Sequence, residues 1–409
     1  MNNINPARPL VMHIDLNSCF ATIEQQAHVT LRGRPVGIVN RRIENTMLVT
    51  ASYEAKARGV SLGMSARQAK RLCPDIVLLE SDPFKYRYVY HRLMDIMSDY
   101  SAHVRMKSID EGVIDFGDAP AAINSRSLLE IGREIKQRLR DEIGSAMRCN
   151  VGIGTNMFLA KTAASLHKPD GLDEINRSNL RAVYGGLELT DLTGIANNYE
   201  KRLRAVGIYT PLDFLDASRE VLEKIVFKGV VGRQWHDRLR GWEVDKIDHP
   251  LRSAGRQYVL DGYRLPRSEV IKRLHHLCEE VGAKVRGKNM VARGVYVFAR
   301  DYDGHTWQSR YHASLPFFSD QAIYSAASHL LASFPGDLKL IGVTCYDLEP
   351  DVDTQISLFG DESARNYCLM GAVDEINNRY GRRTITSAEA LSTNSIIRAK
   401  IPFGSVRYM

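Results

Sequence analysis

The feature that most constrains this chain is an acidic pair set between apolar strands. Ser108-Ile109-Asp110-Glu111 follows the run from Val104 and leads into the apolar stretch Gly112 to Phe116. A third acid, Asp15, closes the strand-like run Val11-Met12-His13-Ile14, just ahead of a helical pattern from Cys19 through Gln26. An acid at the mouth of an apolar strand is costly to hold unless something neutralises it. Singly, each has an ordinary reading: Asp15 as a helix N-cap, Asp-Glu as a common pair beside a strand. Together, three carboxylates meeting at strand ends repel one another and call for a cation. Two Mg²⁺ ions would relieve that repulsion, because Mg²⁺ takes a few carboxylates and completes its shell with phosphate oxygens and water. Such a pair clamps both oxygens of an in-line phosphoryl displacement.

With 409 residues the chain exceeds one core, so about two to four domains are expected. A formal charge of +7 suits a polyanionic partner and general solubility alike. No apolar run approaches a bilayer span and the start Met1-Asn2-Asn3 is no signal peptide, so no membrane is expected. Six cysteines stand far apart with no Cys-x-x-Cys spacing, which argues against a zinc site or disulfide framework and for a reducing cytoplasm.

The pattern reads as α+β and multidomain. Between Leu31 and Pro74 it predicts a strand at Pro35 to Val39, a second apolar run at Met47 to Thr50 and two short helices, one ending at Gly59. Helices are predicted over Asp82 to Tyr100 and Ser127 to Ile143, and strands over Val104 to Ile109 and Gly112 to Phe116. Cys149 to Ile153 reads as a strand, with Thr155 as N-cap of a helix over Asn156 to His167. Leu192-Thr193-Gly194-Ile195-Ala196, followed by Lys201 to Ile208, reads as a helix-hairpin-helix or a plain αα-hairpin. In the former, a glycine turn and a helix N-terminus present N–H groups to a phosphate. After a linker at 245–251 comes a β-α-β-β-α-β pattern. There, between Leu251 and Phe317, Lys and Arg outnumber Asp and Glu about two to one, and Arg293, Arg300 and Arg310 lie on or beside strands. One sheet face could track phosphates, or be simply solvated.

His-Ile-Asp-Leu-Asn-Ser-Cys-Phe-Ala from His13, Thr-Ala-Ser-Tyr-Glu-Ala-Lys-Ala-Arg-Gly-Val from Thr50, and Ser-Ile-Asp-Glu from Ser108 occur in this order. Over residues 9–349 the chain thereby resembles the Y-family translesion DNA polymerases, the polymerase IV and polymerase V branches alike. The resemblance implies a right-hand architecture: palm at 9–18 and 83–176, fingers at 19–82, thumb at 177–244, little finger at 252–349 and a tail at 350–409. It implies Asp15, Asp110 and Glu111 as catalytic acids and, with the Leu16 carbonyl, as ligands of two Mg²⁺. DNA contacts are implied at Gly194 and Ala196, although the usual Gly-Ile-Gly is here Gly-Ile-Ala, and at Arg293, Arg300 and Arg310. A monomer acting on primer-template DNA and dNTP is implied.

For the nucleotide, Thr50, Tyr53 and Lys56 are spaced to share about a third of a helix circumference at ~100° per residue. The matching family residues hold the triphosphate, and Lys56 stands where arginine is frequent, replacing a bidentate grip by a point charge. Lys168 matches a second triphosphate lysine; read alone it is a cation at a helix C-terminus. Phe20 lies where the family carries a steric gate against the 2′-OH, or is ordinary core.

Beyond Pro350 the chain turns polar and reads as a loose tail with a helix at Tyr367 to Arg379. Gln355-Ile356-Ser357-Leu358-Phe359 resembles the motif by which bacterial replication proteins dock on the sliding clamp, with Gln355, Leu358 and Phe359 as its anchors. The chemistry expected is error-prone, template-directed addition of dNTPs past damaged bases. A nucleotidyl cyclase can share an acidic palm sheet but has no use for the hairpin or the basic domain. A DNA-binding recruiter with an inactive palm would not need three intact acids.

Overall fold

The apolar run ahead of Asp15 forms a central strand in the computed structural model, which describes residues 3–41, 43, 45–246, 250–260, 263–334, 336–351, 361–393 and 397. This strand, β1 (Val11–Leu16), leads into helix α1 (Cys19–Ala27). Next come β2 (Val36–Val39), β3 (Leu48–Ala51), α2 (Tyr53–Lys56), α3 (Ala66–Leu72) and β4 (Val77–Glu80), whose strands form a small sheet in the order β3-β2-β4. The short helices hold because Ser52 caps α2 and Ser65 with Gln68 makes a capping box on α3. Helix α4 (Pro83–Ser98) starts from Asp82 as N-cap, with proline in its first turn.

Then β5 (Val104–Met106), β6 (Glu111–Asp115), α5 (Ala121–Asn124), α6 (Leu128–Arg138), β7 (Cys149–Gly154), α7 (Met157–Leu166) and β8 (Leu172–Glu174) complete a five-stranded sheet ordered β5-β6-β1-β7-β8. Strand alternation splits β1 between two faces. Met12, Ile14 and Leu16 join Tyr86, Leu93, Ile131 and Ile135 in the main core. Val11, His13 and Asp15 take the other face, where Ala160 of α7 packs on Val11 and Val113. Helix α7 lies this close because β7 carries glycine: a Cβ on Gly152 would stand 2.1 Å from the Ala160 carbonyl oxygen. Helices α8 (Leu180–Gly185), α9 (Asn197–Arg204), α10 (Pro211–Asp216) and α11 (Val230–Leu239) follow, around a core of Leu192, Leu203, Phe214, Phe227 and Trp235.

The described residues up to 246 form one compact unit and those from 250 to 397 a second. The second runs β9 (Ser253–Val259), α12 (Arg267–Arg286), β10 (Met290–Asp301), β11 (Thr306–Phe317), α13 (Asp320–Ala332) and β12 (Leu338–Pro350), the β-α-β-β-α-β order read from the sequence. Its antiparallel sheet is ordered β11-β10-β12-β9.

Several local expectations need correcting. The strand expected over Val104 to Ile109 stops at Met106, Ser108 to Asp110 form a bend, and β6 starts at Glu111 rather than Gly112. Thr50 belongs to β3, not to the helix carrying Tyr53 and Lys56. Asn156, not Thr155, caps α7 by accepting from the Leu159 N–H at 2.8 Å, while the Thr155 hydroxyl donates to the Gly241 carbonyl at 2.8 Å. Nor is the stretch beyond Pro350 wholly loose. Helix α14 (Asp361–Tyr380) is tied to α12 by Asp374, which takes Arg286 at 2.6 and 2.9 Å, and Arg383 pairs with Glu279. Gln355, Leu358 and Phe359 lie outside the described residues, as does part of the expected linker. Among the described residues no helix is long and apolar enough to cross a membrane, and all six cysteines are free, five of them buried.

Candidate active site

The antiparallel register of β1 with β6 sets Asp15 directly opposite Glu111. Asp110 precedes β6 in the bend, and its carbonyl accepts from the Leu16 N–H at 2.8 Å, which ties the third acid to the end of β1. Asp15, Leu16, Asp110 and Glu111 therefore meet at one end of the sheet.

Their charges are balanced unequally. Asp15 is paired with Lys168. Glu111 Oε2 receives Lys161 Nζ of α7 at 2.7 Å, and His13 Nε2 stands 3.2 Å away at an angle short of a full hydrogen bond. Burial pushes the Glu111 carboxyl up, but His13 and Lys161 outweigh it and hold the group at about 2. The Asp110 carboxylate accepts from the Ser108 hydroxyl, and among the described residues no cation pairs with it. Burial raises its pKa against that hydrogen bond, and the charges of Asp15 and Glu111 raise it further. With Asp15 and Glu111 drawn to their own lysines, the three acids do not form a tight cage. Among the described residues the set with ligand atoms all within 4.8 Å is Asp301, Asp303 and His305, whose Asp301 carboxylate is already bonded by its own turn.

Of the residues expected to hold a nucleotide, Tyr53, Lys56 and Lys168 gather around the same end. Lys56 Nζ donates to the Ser18 hydroxyl at 2.8 Å and lies 4.6 Å from the Tyr53 ring centroid. Burial, and then Lys168, lower the Lys56 pKa, while burial and Asp15 raise that of Tyr53, so both side chains feel the acid site. Thr50 stands on β3, partly buried. Phe20 is 3% exposed and stacks on Tyr86 with ring centroids 4.2 Å apart and planes 8° from parallel. Behind it the Tyr86 hydroxyl donates to Glu24 at 3.0 Å, and Lys85 meets the same carboxylate at 2.8 Å.

Gly194 holds φ +101, where a Cβ would also stand 3.1 Å from Trp235, so glycine is required. Ala196 is the N-cap of α9 and offers no side-chain cap; its carbonyl takes the Tyr199 and Glu200 N–H groups, so the groups left for an outside acceptor are the N–H of Asn197 and Asn198. On the second unit's sheet, Arg300 and Arg310 are exposed and lie beside Phe298 and Tyr296. Arg293 differs: it is held by Glu349 at 2.7 Å and by the Ser314 carbonyl at 2.8 Å.

His13, Lys161, Ser18 and Tyr86 join the site without having been expected there. His13 had a signal, since two residues before Asp15 on a strand is the same face. Tyr86 stands out only as one of several aromatics on its helix and Lys161 not at all, because only the packing of α4 and α7 brings them in.

The profile of the impB/mucB/samB family matches residues 14–165, and that of the family's C-terminal domain matches residues 256–358. A DNA polymerase IV of Moorella thermoacetica is 34% identical over 398 residues, covering 95% of this chain and 97% of its own. DNA polymerase IV 1 of Bacillus subtilis is 27% identical, with 93% of each chain covered. In fold, the chain is similar to a Y-family DNA polymerase chimera of Dbh and Dpo4, with TM-score 0.71 and 22% identity over 83% of this chain and 99% of that one. An insertion ternary complex of Dbh DNA polymerase gives TM-score 0.59 at 23% identity with the same coverage.

Proposed function

The chain belongs to the impB/mucB/samB family of Y-family translesion DNA polymerases, and from that premise we propose how its residues carry out template-directed addition of dNTPs to a primer 3′-OH. The family depends on divalent metal. We assign two Mg²⁺ to the Asp15, Asp110 and Glu111 carboxylates and the Leu16 carbonyl. The observation that carries this is the partly buried Asp110 carboxylate, which among the described residues has no cation and stands beside two acids that each have one. All donors there are hard oxygens, which suits Mg²⁺. Bound there, the ions supply charge neutralisation at the phosphates and ease loss of the primer hydroxyl proton.

Everything else falls to side chains. Lys168, Lys56, Tyr53 and Thr50 grip the triphosphate, and positioning of this kind carries much of phosphoryl transfer. Lys161 and His13 keep Glu111 ionised and fix its direction. The Phe20 ring, braced by Tyr86, closes the space under the sugar to a 2′-OH. In this reading residues 9–18 and 83–176 are the palm, 19–82 the fingers, 177–244 the thumb and 252–349 the little finger. The N–H groups at Gly194 and Ala196 take a DNA phosphate, which fixes position without reading sequence. Arg300 and Arg310 track the backbone, and Arg293 chiefly braces its own sheet.

The test is primer extension with Mg²⁺, four dNTPs and an undamaged template, then a template with a damaged base. Extension on both, abolished by chelator, is expected. A cyclic nucleotide product would support the cyclase, and DNA binding without synthesis would support the recruiter.

Gln355, Leu358 and Phe359 dock the enzyme on the sliding clamp of a cytoplasmic replication machinery, and the enzyme works as a monomer. Replacing all three by alanine is expected to leave synthesis on short oligonucleotides unchanged and to remove stimulation by loaded clamp. The effect should grow with salt, because phosphate contacts weaken while the tether keeps the effective concentration high. Processivity across a salt series measures it; equal stimulation of the variant and the unaltered enzyme would remove the clamp assignment.

A further inference from the structure

We propose that Asn17 and Asn150 form a buried amide pair that positions the Lys168 loop over Asp15 and so sets the grip on the nucleotide triphosphate, an inference resting on the triphosphate role given above to Lys168. Both amides are withdrawn from water, Asn17 at 3% and Asn150 at 0% exposure. A buried amide without partners is costly, so what these two bond to reveals what they hold.

Asn17 Nδ2 donates to Asn150 Oδ1 at 2.7 Å. Asn150 Nδ2 donates to the carbonyls of Ala164 at 2.8 Å and His167 at 3.1 Å, the end of α7 just before Lys168. Asn17 Oδ1 accepts from the Asp170 N–H at 2.8 Å, just after Lys168. The amide orientations are forced, because two backbone carbonyls must face a donor and one backbone N–H must face an acceptor. The pair therefore grips the loop on both sides of Lys168-Pro169. At its other side it is rooted in the metal-site strands. Asn17 lies two residues past Asp15, and Asn150 is directly opposite Asp15 in the β1–β7 register.

The loop has little slack. A Cβ on Gly171 would stand 2.2 Å from the His167 carbonyl oxygen and 3.1 Å from Asn150 Nδ2. The Asp170 carboxylate is held as well, by Lys136 at 3.1 Å and Arg140 at 2.6 Å. Within this frame Lys168 reaches Asp15, the acid beside which the phosphates would lie. Asn17 and Asn150 touch neither nucleotide nor metal in this reading; they act through Lys168.

The experiment is a double-mutant cycle on full-length enzyme, reading KM for dNTP and kcat in single-nucleotide primer extension. Asn17→Ala is expected to raise KM about tenfold, the scale of losing one or two buried hydrogen bonds. Primer-template affinity should hold. In a Lys168→Ala background the same change should raise KM by no more than about twofold, since coupled residues are not additive. Asn17→Ser, too short to bridge both partners, should repeat the pattern if Asn17→Ala folds poorly. Equal KM increases in both backgrounds, or a fall in kcat and melting temperature with KM unmoved, would reduce the pair to scaffolding and overturn the inference. If Lys168→Ala raises KM and neither Asn17 variant does, this inference alone falls. If Lys168→Ala leaves KM unchanged, the triphosphate role of Lys168 falls and takes the inference with it.

Discussion

Asp110→Asn is expected to cut nucleotide addition by at least about a thousandfold, the upper scale for losing one electrostatic group from an active site. The same variant should melt no lower than the unaltered enzyme when metal is withheld. The two outcomes have one cause. Asp110 is partly buried beside two other carboxylates and, among the described residues, has no cation of its own. Its charge is a liability to the fold and is retained for what it binds. Asparagine keeps the shape and a hydrogen-bond acceptor for Ser108 while removing the repulsion. Glu111→Gln should behave oppositely in the melt, because it strips Lys161 and His13 of their shared partner. Breaking such a half-buried pair is destabilising even where forming it contributed little. Primer-template binding should change little in either variant, since the proposed phosphate contacts lie elsewhere. Extension by Asp110→Asn near the unaltered rate would sink the metal assignment, and a markedly lowered melting temperature would sink the electrostatic account of it.

How far the site could be read from the chain depended on whether the cue was local. Asp15, Asp110 and Glu111 stand out because acids beside apolar strands are anomalous. The alternation that buries Val11 and sets Asp15 on its face also foretells His13. Thr50 misleads because Ala51-Ser52-Tyr53-Glu54-Ala55-Lys56 reads as one helix extended backwards. Yet Thr50 is β-branched and pairs with Ile38 of β2, and Ser52 starts the helix by capping it. Thr155 and Asn156 are both competent caps. What decides between them is the last turn of α11 and the residues after it, whose Arg238, Gly241 and Trp242 carbonyls take the two side chains. The docking of α14 was hidden for a different reason: it is made by ion pairs such as Arg286 with Asp374, which leave no apolar stripe to read. Asn17 and Asn150 resemble any polar residues at strand ends until the fold brings them together.

Phe20→Ala is expected to raise the ratio of ribonucleotide to deoxynucleotide incorporation by about a hundredfold, the scale on which a shaped pocket separates substrates differing by one hydroxyl. The ring can act as a wall because it cannot retreat. It is 3% exposed and stacked on Tyr86 at 4.2 Å, and the Tyr86 hydroxyl is fixed to Glu24, itself held by Lys85. A side chain free to change rotamer would yield to the extra hydroxyl; this one would have to move a stack and a buried carboxylate. The same packing makes the alanine variant costly, at about 3–5 kcal/mol for a buried phenylalanine. A loss of overall rate would then say nothing about the gate. The ratio is the proper readout, because damage to the fold lowers incorporation of both nucleotides alike. Phe20→Leu separates the two roles further. It keeps most of the core volume, so it should melt close to the unaltered enzyme, yet it lacks the flat ring and should still admit ribonucleotides. Single-nucleotide incorporation of matched ribo- and deoxynucleotides by the three enzymes measures this. If the ratio stays constant across them while stability falls in the alanine variant, Phe20 is core and selection against the 2′-OH resides in another residue.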